Sequence, residues 1–134
     1  MQKPNLNPPI RSVCTTSDGA ASYSPVFITG TYYDAAYDSN SNDYKRWYRK
    51  YSDGTIVQGA YREDADKDAV WTVPFVTPFT TTDIDIQITP VFNAKPTQIN
   101  GGMAVAAITS SNFSIHGDTY ISATQGYYWE ATGK

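Results

Sequence analysis

The chain of 134 residues is long enough for one ordinary domain, which removes about two-thirds of its unfolded surface from water. Its net charge of −3 argues against a nucleic-acid partner, because phosphate binding requires a basic patch. No apolar run approaches the ~20 residues that span a bilayer, and the first residues lack the apolar core of a secretion signal. We therefore expect a soluble protein with no membrane insertion and no export by the usual signal.

The composition favours β-structure. The chain contains 11 Tyr, 3 Trp and 5 Phe, whereas only 17% of its residues are charged, and aromatic and β-branched side chains suit a pleated, half-buried surface. Leu6 is the only leucine, and no stretch keeps apolar residues at a helical period. Short alternating segments separated by turn signals predict an all-β domain, built as an antiparallel β-sandwich.

The first third of the chain begins with a proline-rich stretch and ends in a long polar and aromatic segment. Prolines without an apolar pattern are typical of extended linkers, and long loops often carry function. The predicted segments are a linker or fibre-shaft stub at 1–12, a single domain at 13–134, two strands around a turn at 17–19 with the second strand at 26–29, and a loop at 32–44.

The loop at 32–44 combines flat aromatic rings with amide and carboxylate side chains. A saccharide presents apolar C–H faces and hydroxyl edges, which such rings and polar groups match. Tyrosine also supplies contact area at a low entropic cost. The alternative interpretation is that the tyrosines pack the loop onto the sheet or into a subunit interface. The candidate ligand-binding residues are Tyr33, Tyr37, Asp38, Asn40 and Asn42.

Residues 46–60 are the clearest β-hairpin signal in the sequence. Two alternating runs meet at a Ser-Asp-Gly turn at 52–54. On the second arm Ile56, Gln58 and Ala60 share one face, so one face can be buried while the other stays in water. The basic residues of the first arm divide between both faces, which favours solvated strand charges over an anion site.

An acidic turn follows the hairpin, with alternating aspartates in 64–68. This spacing resembles part of a calcium-binding loop, but the sixth and twelfth positions hold Ala69 and Phe75 instead of Gly and Glu. The sequence therefore predicts a solvated turn and no metal site here.

The second half of the chain predicts further strands. Residues 83–89 place three isoleucines on one face and four polar residues on the other, so the isoleucines are expected in the core. A strand of small residues would let another chain or sheet approach closely. The remaining predicted segments are the small-residue strand at 101–108, a strand at 112–116, a turn at 117–118, and strands at 120–121 and 127–129.

The sequence gives little support for a catalytic site. Cys14 is the only cysteine, so no intrachain disulfide forms, and no histidine lies nearby to activate the thiol. His116 is the only histidine and falls on the polar side of a predicted strand, so a metal site would need three copies around a threefold axis. Asp34 with Asp38 stays open as the carboxylate pair of a glycosidase. We expect no cofactor and no enzymatic activity.

Three segments resemble the C-terminal domains of bacteriophage tail fibres. The run WYRKYSDG at 47–54, followed by Gln58-Gly59, resembles the W-Y-R-K-x-S-D-G hairpin and Q-G pair of that family. The run VPFVTPF at 73–79 resembles its V-P-F-x-x-P-F stretch, and YWEATG at 128–133 resembles its aromatic-x-Ala-x-Gly ending. The resemblance covers residues 44–134 and implies a homotrimeric receptor-binding tip.

On this resemblance we expect a non-catalytic tail-fibre tip that attaches a virion to a bacterial surface glycan or outer-membrane protein. The fibre would be assembled in the host cytoplasm and would act outside the cell. The small-residue strand and Tyr127, Tyr128 and Trp129 are expected to lie against partner subunits, because exposing them on a monomer would be costly. The alternatives are a polysaccharide-cleaving tailspike tip, a stand-alone lectin and a structural virion protein.

Overall fold

The computed structural model describes residues 10–15, 21–63, 69–92, 103–117 and 124–134. Within these ranges the chain forms strands and no helix, which confirms the all-β prediction, and no helix there could cross a membrane. The strands are β1 Ile10–Thr15, β2 Ala21–Val26, β3 Ile28–Asp34, β4 Tyr44–Tyr51, β5 Ile56–Glu63, β6 Ala69–Pro74, β7 Asp85–Phe92, β8 Met103–Ile108, β9 Asn112–Gly117 and β10 Thr124–Gly133.

The strands form three antiparallel sheets. A two-stranded sheet pairs β1 with β2, a large sheet has the order β3-β4-β5-β10-β7, and a small sheet has the order β6-β9-β8. The C-terminal strand β10 lies inside the large sheet, hydrogen-bonded to β5 on one side and to β7 on the other. Strand β10 therefore joins β7 to the rest of the large sheet.

The β4–β5 hairpin forms as predicted, because its turn satisfies its own backbone. Gly54 has a φ of 90°, which glycine adopts without strain, and its N–H donates to the Tyr51 carbonyl at 3.0 Å. The N–H of Tyr51 donates to Thr55 O at 2.8 Å, and the N–H of Thr55 donates to the Asp53 carboxylate at 2.9 Å. These bonds fix the register of the two strands.

The large sheet and the small sheet pack face to face, which confirms the β-sandwich. The inner face of the large sheet carries Trp129, whose ring centre lies 5.3 Å from that of Phe113 on the small sheet. Phe75, in the bend after β6, lies 5.4 Å from Phe113 and 6.0 Å from Trp129. The buried hydrophobic cluster consists of Ile56, Ala60, Val73, Phe75, Phe79, Ile84, Phe113, Ile115, Tyr127, Trp129 and Ala131.

The inner face of β5 also buries two polar side chains, Gln58 and Arg62. As predicted, Ile56, Gln58 and Ala60 all point inward. The amide of Gln58 donates to Thr77 O at 2.8 Å and accepts from the Thr77 N–H at 2.9 Å. Both ends of the buried amide are thus satisfied, and they tie the large sheet to the bend that follows β6.

One strand prediction near the start of the chain needs correction. The strand predicted at 26–29 is wrong, because β2 ends at Val26 and β3 begins at Ile28. Between them, Phe27 bonds to the hairpin turn instead of to a ladder: its N–H donates to Ser52 Oγ at 3.1 Å, and the Ser52 N–H donates to its carbonyl at 2.8 Å. The first strand also begins at Ile10, inside the stretch predicted as a linker.

The isoleucine strand is confirmed, with a later start. Ile84 is buried just before β7, and Ile86 and Ile88 pack against the core from β7. Asp85 and Gln87 are exposed on the other face. The predicted strands at 101–108 and 112–116 correspond to β8 and β9, whereas the turns at 17–19 and 64–68 and the strand at 120–121 lie outside the described residues.

The interface predicted for the C-terminal aromatics is wrong for two of its three residues. Tyr127 and Trp129 are 0% and 2% exposed inside the core of a single chain, so they need no partner subunit. Only Tyr128, which is 45% exposed, remains on the surface. Alternation along β10 explains the difference, because Tyr128 points to the opposite face from its two neighbours.

Candidate functional site: the β3–β4 loop and its cleft

The predicted loop is shorter than its sequence suggests. Because β3 ends at Asp34 and β4 begins at Tyr44, the connection covers only residues 35–43. Tyr37, Asp38, Asn40 and Asn42 lie in this loop. Tyr33 lies on β3, 65% exposed, opposite Trp47 of β4. The structure therefore does not bring Tyr33 together with the other four candidate residues.

The loop is held by bonds within itself. The N–H of Asp38 donates to Asp43 O at 2.9 Å, and the N–H of Asn42 donates to Asp38 O at 2.7 Å. Asn42 has a φ of 61°, a left-handed conformation that asparagine tolerates. The Asp38 carboxylate accepts from Ser41 Oγ at 2.7 Å and from the Asn40 N–H at 3.3 Å. These two bonds to the Asp38 carboxylate help to hold the shape of the loop.

The carboxylate pair considered for a glycosidase is joined by an arginine. Arg46 of β4 reaches Asp34 at 3.3 Å and Asp38 at 3.4 Å. The hydrogen bond from Ser41 and the Arg46 guanidinium hold the pKa of Asp38 below its usual value. A glycosidase acid requires the opposite shift, a pKa raised toward neutrality. The arrangement favours a structural role for both carboxylates.

A buried ion pair anchors the end of the loop to the core. Arg62 of β5 donates from Nε to the Asp43 carboxylate at 3.1 Å, and it also donates to the backbone carbonyl of Ser41. Trp129 Nε1 lies 3.4 Å from the other oxygen of Asp43. Burial raises the pKa of Asp43 to about 6, against the opposing effect of the Arg62 charge.

A cleft of about 470 Å³ opens between this loop and β6, and we call it the loop cleft. Tyr37, half exposed, packs its ring 5.0 Å from that of Tyr44 and donates from its hydroxyl to Asn42 Oδ1 at 2.7 Å. The cleft offers aromatic walls and polar edges together, within the range of about 300–1,000 Å³ typical of small-ligand sites. Its lining residues are Tyr37, Asn42, Tyr44, Arg62, Glu63, Trp71 and Thr72.

The loop cleft contains two of the predicted residues, Tyr37 and Asn42, and several that sequence reasoning missed. Glu63 ends β5, and Trp71 lies on β6 with its indole N–H donating to the Tyr127 hydroxyl at 2.9 Å. Neither shares a motif with the loop: the pairing of β5 with β4 brings Glu63 there, and the packing of the two sheets brings Trp71. Asn40 does not line the cleft.

Metal ligands do not gather in the part of the chain that the structure describes. No group of three or more His, Cys, Asp or Glu side chains is placed there to hold an ion. His116 is exposed on β9, as the alternation predicts. The acidic turn at 64–68 lies outside the described residues.

Sequence comparisons find no match for this chain. No protein-family model matches it, and no curated protein does so either.

Solved structures with a similar fold do exist, and they are pyocin tail fibres. An N-terminally truncated R2-type pyocin tail fibre matches with a TM-score of 0.57 over 79% of this chain and 38% of its own, at 17% identity. A C-terminal portion of the R2 pyocin fibre of P. aeruginosa matches with a TM-score of 0.57 over 79% and 26%. An N-terminally truncated R1-type fibre matches with a TM-score of 0.52 over 79% and 87%.

The chain thus spans 38% of the first of these fibres and 26% of the second. At 17% identity the likeness concerns the fold. The chain has the antiparallel β-fold found in pyocin tail fibres, which agrees with the fold implied by its three tail-fibre-like sequence segments.

Proposed function

We propose that this chain is the receptor-binding tip of a phage, or phage-derived, tail fibre and that it attaches the particle to a bacterial surface receptor. The observation that carries the proposal is the loop cleft on a tail-fibre-like fold. Its loop is fixed from within and anchored by Asp43, so it presents Tyr37 in a set position. A pre-organised aromatic and polar surface reduces the ordering cost of binding.

The receptor is a surface glycan or an outer-membrane protein, and attachment involves no chemistry. The rival function is a tailspike tip that cleaves polysaccharide. Its carboxylate pair would be Asp34 with Asp38, and Arg46 holds both in ion pairs. Incubating the protein with lipopolysaccharide and capsule separates the two functions: a binder leaves the chain length of the polysaccharide unchanged, whereas an enzyme shortens it.

The proposed function also implies where the protein is assembled and where it acts. A fibre tip is assembled in the host cytoplasm, carried in the virion tail fibre and exposed outside the cell. Cys14, the only cysteine, is compatible with folding in that reducing compartment, since the fold needs no intrachain disulfide.

We expect the protein to be a homotrimer in solution, as the resemblance to tail fibres implies. Phe27 and Ile28 are more than half exposed in the isolated chain, and such apolar surface is commonly covered by a partner. Light scattering at micromolar concentration should then give three times the chain mass of 14.8 kDa. A monomer mass would contradict the trimer and favour a stand-alone lectin.

Substituting Tyr37 should separate binding from folding. Tyr37→Ala removes a half-exposed ring from the loop cleft, with an expected loss of about 1–2 kcal/mol of binding free energy per site. Three linked sites would amplify this into a large loss of attachment to host cells. Labelling of cells by fluorescent protein measures the effect, and Asn40→Ala, in the same loop but outside the cleft, is the control. Unchanged labelling by a normally melting Tyr37→Ala trimer would exclude the loop cleft.

A further inference from the structure

The outer face of the large sheet carries a continuous row of residues that do not line the loop cleft. Tyr33 pairs with Trp47, Trp47 with Gly59, Gly59 with Glu130, and Glu130 with Gln87. The row crosses all five strands, from β3 to β7. Since Ala60 and Trp129 point into the core, their neighbours in this row point to the opposite face.

The middle of the row is a flat aromatic floor. A Cβ placed on Gly59 would lie 3.0 Å from Nε1 and 3.1 Å from Cζ2 of Trp47, so the indole lies against the backbone of β5. The same Cβ would collide with the Trp129 carbonyl, which explains why glycine occupies this position. The guanidinium of Arg49 lies over part of the Trp47 ring, 5.4 Å from its centre, and this cation–π contact helps to hold the indole in place.

Polar groups surround this floor. Glu130, Gln87 and Thr89 are exposed, and their side chains have no hydrogen-bond partner among the described residues. Lys45 Nζ lies 5.9 Å from the centre of the Tyr128 ring, above the same face. Together they border a shallow depression of about 310 Å³ over Trp47. We call this depression the sheet platform.

We propose that the sheet platform is a saccharide-binding site. The C–H face of a sugar ring stacks on the Trp47 indole, while its hydroxyls donate to the Glu130 carboxylate and bond to the Gln87 amide. Tyr33, which is 65% exposed, extends the aromatic floor toward a second sugar residue. The site lies on the face opposite the core, apart from the loop cleft, so it goes beyond the proposed function and does not depend on it.

The size and charge of the platform favour a saccharide over a protein partner. The volume of 310 Å³ falls at the lower end of the range of about 300–1,000 Å³ for small-ligand sites. A stable protein interface buries about 800 Å² on each side around an apolar centre. Here such an interface would bury the free Glu130 carboxylate and the Lys45 ammonium, at a high desolvation cost. A sugar leaves both in contact with water or hydroxyls.

The indole N–H resonances of the full chain provide the test, because the three tryptophans report three different places. Trp47 lies on the platform, Trp71 in the loop cleft and Trp129 in the core. The ¹⁵N-labelled protein is titrated to about 10 mM with the methyl glycosides of glucose, galactose, mannose, rhamnose and N-acetylglucosamine. We expect at least one of these to shift the Trp47 signal with a Kd near 1 mM or below, and to leave the Trp129 signal in place.

Substitutions of residues on the sheet platform test whether a glycoside bound there causes the shift of the Trp47 signal. Glu130→Gln keeps the shape of the side chain and removes the charge, and it should weaken binding at least fivefold. Trp47→Tyr should retain partial binding, whereas Trp47→Ala should lose it more than tenfold at an unchanged solution mass. Because both variants lack the Trp47 indole, their binding is followed by the backbone amide signals of Gln87 and Glu130, which line the same depression. Tyr37→Ala is the matched control: its expected loss of cell attachment should leave sugar binding intact.

Two results would overturn the proposal. The first is the absence of any Trp47 shift with all five glycosides. The second is a change in solution mass on Trp47→Ala or Glu130→Gln, which would identify the face as a contact between copies of the chain. Because Tyr37→Ala tests the loop cleft by itself, a failure of the sheet platform is distinguishable from a failure of the proposed function.

Discussion

Replacing Trp129 by alanine should lower the free energy of unfolding by about 3–5 kcal/mol, as large aromatic-to-alanine changes in cores do. The side chain is 2% exposed and packs between Phe75 and Phe113, so its removal leaves a cavity between the two sheets. Its indole N–H also lies 3.4 Å from the Asp43 carboxylate, which would lose that partner. Urea denaturation followed by tyrosine fluorescence measures the change.

Tyr128→Ala is the matched control for this substitution. Tyr128 is the adjacent residue of β10, but it is 45% exposed on the outer face, where its ring contacts Tyr61 and Lys45. Its loss should cost about 1 kcal/mol. Equal costs for the two substitutions would contradict the position of Trp129 in the core.

Deleting the chain from Tyr127 onward should abolish folding, because it removes the strand between β5 and β7.

Local patterns explain which parts of this fold were predictable. The alternation of Ile56, Gln58 and Ala60, and that of Ile86 and Ile88, identified the buried faces because side chains in a strand alternate with a period of two. The Ser-Asp-Gly turn fixed the β4–β5 hairpin because its bonds are made within five residues. Both signals, the alternation and the turn, depend only on residues that are close together in the chain.

Contacts between distant segments explain the errors. Pairing of β10 with both β5 and β7 brings together strands that are far apart in the chain, and no short pattern encodes it. Without that pairing, the run of aromatics at Tyr127 and Trp129 looked like a surface for other subunits. Likewise, the bond from Ser52 to Phe27, which interrupts a stretch with strand-like residues, depends on a turn 25 residues away.

The positions of the candidate site residues likewise depend partly on local patterns and partly on contacts between distant segments. Composition drew attention to the aromatic and polar residues in and after the end of β3, yet it treated Tyr33 and Tyr37 as one group. The actual strand extends through Asp34, so alternation places Tyr33 on the sheet while Tyr37 joins Trp71 at the loop cleft. Glu63 could be assigned to that cleft only once the pairing of β5 with β4 was known, and Trp71 only once the packing of the small sheet was known.

Replacing Arg62 by methionine should destabilise the fold by about 3–5 kcal/mol at pH 8, because it leaves the Asp43 carboxylate buried without its cation. Methionine retains much of the aliphatic volume, so the loss reports charge rather than a cavity. Arg49→Met is the control: Arg49 is exposed on the same large sheet, and its removal should change stability by about 0.5 kcal/mol or less. Urea denaturation at fixed pH measures both.

The cost of Arg62→Met should shrink as the pH falls. Burial already raises the pKa of Asp43 from 3.8 to about 6, and the Arg62 charge opposes that rise, so its removal raises the pKa further. A folded-state pKa above the unfolded value favours folding below the unfolded pKa, and this contribution is lost as the pH rises through the folded pKa. The variant should therefore lose at least about 1 kcal/mol less at pH 5 than at pH 8, one pKa unit being worth about 1.4 kcal/mol. Equal losses at both pH values would mean that Asp43 is not the group left unpaired.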